Sequence, residues 1–356
     1  MVDWYNNDWE FRFKVTSDNT QVAAAIKGLA IDLSNAPTGF WSNVNSDGAD
    51  IRVTQSDGTT EVARDVVSID TGAQKGLLRI DSGAISTSAD TDYYVYYGNA
   101  SADEPAPGST YGQYNAYETD TELYYGAEEG SGSTTSDRTS NENNGTLENG
   151  VGWSTNSSLG KSAFSFSGSD GEQIVPSMTA QYDNVTLRAT IDVPSSIVDL
   201  REIIGADERS PNPRSWQFRL RDTGIVNFIP FVGGSAFQVN GSTDVRNAGK
   251  IRVAVNYNGS VGKVFVNGLE DGDNDSMSGA LDKGGTIYVG ADPARTNESF
   301  DGLMDEVFID SFALSNDQLI TDANCELDNA SFWTFGAPEE VGEDRVARPL
   351  SFGGGL

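Results

Sequence analysis

Apolar and polar residues alternate over short runs along most of the chain. Trp9, Phe11, Phe13 and Val15 interleave with Glu10, Arg12 and Lys14. A period of two gives a strand one apolar and one polar face. Leu29-Ala30-Ile31-Asp32-Leu33, Ile51-Arg52-Val53, Leu77-Leu78-Arg79-Ile80 and Tyr93-Tyr94-Val95-Tyr96-Tyr97 repeat the strand signal, with Ser56-Asp57-Gly58 and Gly98-Asn99 as turns. Short strands at this spacing predict an all-β sandwich. The signal returns in Val185–Ile191, Trp216–Leu220 and Thr286–Gly290. Arg252–Tyr257 and Lys263–Gly268 are expected to form a hairpin around Asn258-Gly259. One helix start stands out, with Ser315 as N-cap before Asn316-Asp317-Gln318-Leu319-Ile320.

Between the two strand-rich regions lies Asp103-Glu104-Pro105-Ala106-Pro107-Gly108-Ser109, whose composition is that of a linker. The expected organisation is a sandwich over residues 1–100, a linker over 101–119, a second sandwich over 120–328 and a C-terminal arm over 329–356. The arm holds Phe332, Trp333 and Phe335 ahead of a charged, glycine-terminated end. Aromatics so close together need burial, on the chain's own sandwich or on a neighbouring subunit.

Two resemblances bear on these regions. Trp4 and Trp9, then Gly48–Gly58, then Tyr94-Val95-Tyr96-Tyr97-Gly98-Asn99, resemble an uncharacterised β-sandwich family that precedes concanavalin A-like domains in microbial surface proteins. It implies architecture and no activity. The second rests on Leu123-Tyr124-Tyr125, Asp137–Leu147, Lys161–Gly168, Phe300-Asp301-Gly302-Leu303-Met304-Asp305-Glu306-Val307-Phe308-Ile309 and Ala313-Leu314-Ser315. In order and spacing these are similar to laminin G-like, concanavalin A-like jelly rolls. The resemblance implies a lectin-like binding domain, often with one structural calcium.

Composition narrows the chemistry. The 356 residues contain no histidine and one cysteine. That excludes His-dependent nucleophilic triads, His-ligated metals and an intrachain disulfide. Asp plus Glu number 53 against 23 Lys plus Arg, a net charge of −30. Such a field repels nucleic acid and anionic lipid, and no apolar run approaches the roughly 20 residues of a membrane span. The acids are spread along the chain, which points to adaptation to concentrated salt rather than to an interaction tail. The chain opens with neither a basic stretch nor an apolar run, so no secretory signal is expected.

Glucanases of the concanavalin A-like superfamily place paired carboxylates on one strand face. The nearest candidates here, Glu202 with Asp207 and Glu208, and Asp305-Glu306 with Asp310, lack the spacing. No catalytic residue is therefore expected. For a cation, Asp271, Asp273 and Asp275 alternate and Asp282 falls twelfth, a partial calcium loop; the competing reading is a solvated acidic hairpin. Asp137, Asp301 and Asp305 are where the laminin G-like resemblance would set a calcium; the alternative is turn and capping bonds. For a sugar, Trp153, Tyr182 and Trp216 are candidate stacking platforms, against a plain core role.

A surface-binding module in a chain without an export signal suggests a virion protein, made in host cytoplasm and acting outside the cell. The expectation is a non-enzymatic structural or adhesion protein of a virus infecting a halophilic archaeon. It would be a capsid decoration, turret, tail fibre or baseplate component. Its partners would be other virion proteins, a host-surface glycan or glycoprotein, and copies of itself; nucleic acid and membrane insertion are not expected. The alternatives are a cellular adhesin or carbohydrate-binding module of a halophile, and a polysaccharide depolymerase.

Overall fold

The computed structural model describes residues 3–197, 199–207, 214–292 and 298–342. Among them the architecture is nearly all β, in two sandwiches. The first has a five-stranded sheet in the order Trp333–Glu340, Phe11–Ser17, Asp92–Tyr97, Arg52–Gln55, Glu61–Val62. A three-stranded sheet of Leu29–Asp32, Lys75–Ile80 and Arg64–Asp70 accompanies it. Phe13, Val53 and Val95 from the first and Ile31, Leu78 and Ile80 from the second share one buried core.

The outermost strand of that five-stranded sheet comes from the far end of the chain. Trp333–Glu340 runs antiparallel to Phe11–Ser17, with Ser17 opposite Trp333 and Phe11 opposite Glu340. The stretch read from sequence as an arm thus completes the N-terminal sheet. Phe332 and Trp333 are buried in the N-terminal core, and Phe335 stacks on Phe13. The Trp333 indole donates to the Ala30 carbonyl at 2.7 Å.

The second sandwich consists of two nine-stranded sheets around a separate apolar core. Ile251–Tyr257 and Val261–Val266 pair as the expected hairpin. The long strand Asp301–Asp310 pairs with Val185–Asp192 on one side and with Ala163–Ser167 and Thr121–Tyr125 on the other. Sequence alternation missed Arg201–Asp207 and Ile225–Val232. Both are nearly continuous buried runs, which periodicity alone cannot separate from other buried segments.

Between the two sandwiches lies the helix Asn316–Leu327, started by Ser315 with a full capping box to Gln318. Its Leu319 and Cys325 belong to the N-terminal core, together with Ala254 and Phe265 from the outer face of the jelly roll. Its Asp322 and Glu326 face a buried charge network. Arg79 of the first sandwich pairs with Glu306 of the second and with Glu326 at 2.8 Å. Arg188 and Arg252 both pair with Asp322, and Arg188 also pairs with Asp310 at 3.0 Å. The Phe308 ring lies under the guanidiniums of Arg79, Arg188 and Arg252, 4.1 to 5.5 Å from its centroid.

Candidate functional site

The polar face of one jelly-roll sheet carries a buried cluster of carboxylates. Trp216, Phe218 and Leu220 of the strand Arg214–Leu220 point into the core. Gln217 and Arg219, at the alternate positions, must therefore lie on the opposite face. Across the ladder Arg219 stands opposite Glu202 on one side and Asn227 on the other. A β-bulge shifts the register between Glu202 and Ile204, and such a bulge re-aims side chains. Ile203 and Ile204 stay in the core, while the Glu202 side chain comes to lie over Gly205. A Cβ on Gly205 would come within 3.1 Å of Glu202 Oε1 and 3.0 Å of the Ala291 carbonyl. Gly205 is thus what lets the carboxylate and the segment after Val289 approach the sheet together.

Asp292 and Glu298 bring carboxylates to the same place. One carboxylate oxygen from each of Glu202, Asp292 and Glu298 lies within 4.8 Å of the others. The three residues are 0, 1 and 6 % exposed. The Phe218 amide donates to Glu202 Oε1 at 3.1 Å, and Gln217 Nε2 donates to Asp292 at 3.2 Å. Arg219 donates to Asn227 Oδ1 at 3.0 Å and comes within 3.9 Å of Glu298. Burial, reinforced by Asp292, pushes the Glu202 carboxyl well above its ordinary range. Carboxylates so close and so enclosed leave no room for a sugar ring between them, so the cluster does not have the open geometry of a glycosidase pair.

The aspartates expected to hold a cation are dispersed. Asp271 accepts from the amides and hydroxyls of Ser242 and Thr243 at 2.6 to 3.2 Å. Asp273 is exposed, Asp275 belongs to a short strand against Val261–Val266, and Asp282 accepts the Gly234 amide at 2.8 Å. This stretch is a hairpin loop, not a calcium loop, because Asp271 is already saturated by its neighbours. The set implied by the laminin G-like resemblance does not fit a metal either. Asp137 accepts from Tyr124, Thr139 and Asn143 at 2.9 to 3.1 Å. Asp305 is bonded by the Ser158 amide and hydroxyl and the Glu306 amide at 2.8 to 2.9 Å. Asp301 sits apart beside Gly168. The turn-and-cap alternative describes Asp137 and Asp305.

Asp305 has a second role, beside Glu128. Glu128 receives the Ser68 hydroxyl from the first sandwich at 2.5 Å and the Lys161 amide. Burial pushes Glu128 up to about 7 and, with the Glu128 charge, Asp305 up to about 8.

Of the aromatic candidates, Trp216 is fully buried and has no face open to a sugar; its inward strand position makes it core. Tyr182 is half-buried and stacks on Trp216. Trp153 is half-buried on the strand Gly152–Ser154, its indole donating to the Gly132 carbonyl at 2.8 Å. Asp207 pairs with Arg214 at 2.7 Å, and Glu208 lies outside the described residues. Sequence reading named Glu202 but missed Asp292 and Glu298. They sit in irregular backbone, and no spacing rule ties them to Glu202.

Comparison with known proteins agrees with this architecture. Residues 166–320 match the Laminin_G_3 family model, described as the concanavalin A-like lectin/glucanases superfamily. The second sandwich is thus a concanavalin A-like domain. No curated protein sequence matches the chain. Among solved structures, the binding domain of Paraclostridial Mosquitocidal Protein 1 is similar at TM-score 0.47 and 13 % identity, over 58 % of this chain and 52 % of that one. The receptor binding domain of botulinum neurotoxin D is similar at TM-score 0.42 and 17 % identity, over 58 % and 52 %. The chain spans about half the length of these structures.

Proposed function

We propose that this chain is a binding protein whose concanavalin A-like domain attaches a particle to a glycosylated host surface. The match of residues 166–320 to the lectin and glucanase superfamily carries this reading, together with the enclosed geometry of the Glu202 cluster. Trp153, half-buried on its strand, and Tyr182 remain as platforms for a sugar face. The net charge of −30 supports a setting of concentrated salt, where a Debye length of about 3 Å at 1 M mutes the self-repulsion. In this reading the protein is a non-enzymatic component of a virion of a halophilic virus, present in several copies so that weak sites add up. A cellular adhesin shares the same binding chemistry.

The test displays the full chain on beads in 1 M salt with host envelopes. Saturable capture that falls severalfold for Trp153→Ala, and disappears on envelopes stripped of glycan, is the expected result. Capture unchanged by stripping refutes glycan attachment. Release of reducing sugar from the same envelopes would establish the depolymerase alternative.

A further inference from the structure

We propose that a depression of about 420 Å³ on the first sandwich binds a neutral sugar ring of a glycan. It lies between the short helix Phe40–Asn43, with the chain leading into it, and the turn that joins the strands Arg64–Asp70 and Lys75–Ile80. Its size is that of a small-ligand pocket. It is separate from Trp153 and Tyr182 in the concanavalin A-like domain and does not depend on the role given to them.

The lining selects the ligand. Trp41 supplies an aromatic ring, and Ser34, Thr38, Ser42, Thr71 and Gln74 supply hydroxyls and an amide. None of the nine lining residues is charged, in a chain that carries 53 acidic and 23 basic residues. An ionic ligand would find no counter-charge in the lining, and an anion would also meet the field of the whole protein. A purely apolar ligand would strip water from the hydroxyls and give nothing back. A sugar ring offers an apolar C–H face to the indole and hydroxyls to the polar groups around it.

The polar groups here are uncommitted. Trp4, Trp9, Trp153 and Trp333 each donate the indole N–H to a backbone carbonyl at 2.5 to 3.0 Å. The Trp41 indole N–H has no acceptor among the described residues, although the ring itself is held edge-on against Phe40 at 5.0 Å. Gly76 makes room for that ring: a Cβ there would come within 3.4 Å of Trp41 Cη2. The side chains of Thr38, Thr71 and Gln74 likewise make no hydrogen bond among the described residues. Gln74 adds a second observation. Its φ is 54°, a left-handed conformation that glycine adopts freely and glutamine does not. Strain at a pocket rim, in a residue whose exposed amide bonds nothing in the protein, points to a ligand outside it.

The experiment titrates the full chain in 1 M NaCl with mannotriose, galactotriose and isomaltotriose, and with trigalacturonate as a charged counterpart. Tryptophan fluorescence and saturation-transfer NMR follow binding, and thermal melts follow folding. We expect saturable binding of at least one neutral trisaccharide and none of trigalacturonate. Trp41→Ala should weaken it about 10-fold or more. Gln74→Gly should weaken it about 5-fold while its melting temperature stays level or rises, since glycine relieves the strained turn. A merely structural role for Gln74 would not separate binding from stability in this way, and the variant carries the test even if Trp41→Ala fails to fold. Binding of none of the neutral trisaccharides, preference for trigalacturonate, or parent-like affinity in Gln74→Gly overturns the proposal. Binding lost in Trp153→Ala but kept in Trp41→Ala and Gln74→Gly overturns it too, and leaves glycan attachment by the concanavalin A-like domain standing.

Discussion

Replacing Arg79 with methionine would test whether the buried charge network joins the two sandwiches. The Arg79 side chain is 1 % exposed, and those of Glu306 and Glu326 are 0 and 1 % exposed. Its guanidinium also donates to the Tyr124 hydroxyl at 2.7 Å and the Gly28 carbonyl at 2.5 Å. Methionine matches the length of the aliphatic stem, so the loss is mainly of charge and hydrogen bonds. Removing one partner of a buried pair costs about 3–5 kcal/mol, because the remaining charge stays buried without compensation. Here two carboxylates lose their partner, but Glu306, already pushed up by burial, can take up a proton, which caps the penalty. The expected loss is about 4 kcal/mol at pH 8, a fall of roughly 5 °C in melting temperature for a protein of this size. Calorimetry and urea unfolding in 1 M salt would measure it. The deficit should shrink toward pH 5, as Glu306, whose carboxyl burial holds above its ordinary range, is neutralised. The triple variant Arg79→Met/Glu306→Gln/Glu326→Gln should recover most of the loss, since no charge is then left unpaired. A single variant costing under about 1 kcal/mol, or a triple variant no better than the single, would refute the reasoning.

Trp333→Ala should destabilise the N-terminal sandwich by about 3–5 kcal/mol, because a fully buried indole is removed from the core; near-parent urea unfolding would show that the C-terminal strand adds little. Stability should also fall as pH rises. The folded-state pKa values of Glu128 (about 7) and Asp305 (about 8) exceed their ordinary values of 4.5 and 3.8. Their protonated forms therefore favour folding, a contribution complete below about pH 4 and lost on passing through pH 7 to 8. Melts from pH 5 to 9 should show a decline that Glu128→Gln/Asp305→Asn flattens; an equal decline in that variant would assign it to other groups.

Local pattern was enough for part of this protein. Alternation located the strands Phe11–Ser17, Lys75–Ile80 and Asp92–Tyr97, because side chains on a strand take opposite faces whatever lies beyond them. Ser315 announced its helix because a cap is satisfied within one turn. The closing-strand motif around Asp301–Asp310 identified the jelly roll. A period of two says that a strand has two faces but not what covers each. Arg79, Arg188 and Arg252 sit at polar positions that read as solvent-facing, yet the helix Asn316–Leu327 and the packing of one sandwich on the other bury them. The arm became a sheet strand through pairing with Phe11–Ser17, more than 300 residues earlier, a match no local window contains. The acidic clusters divide in the same way. Asp271, Asp273 and Asp275 are neighbours in sequence, and their carboxylates go to local donors or to solvent. Glu202 is distant in sequence from Asp292 and Glu298, and a bulge and a glycine let their carboxylates meet. Convergence of oxygens depends on tertiary structure, so residue type could nominate carboxylates but only the fold could assemble them.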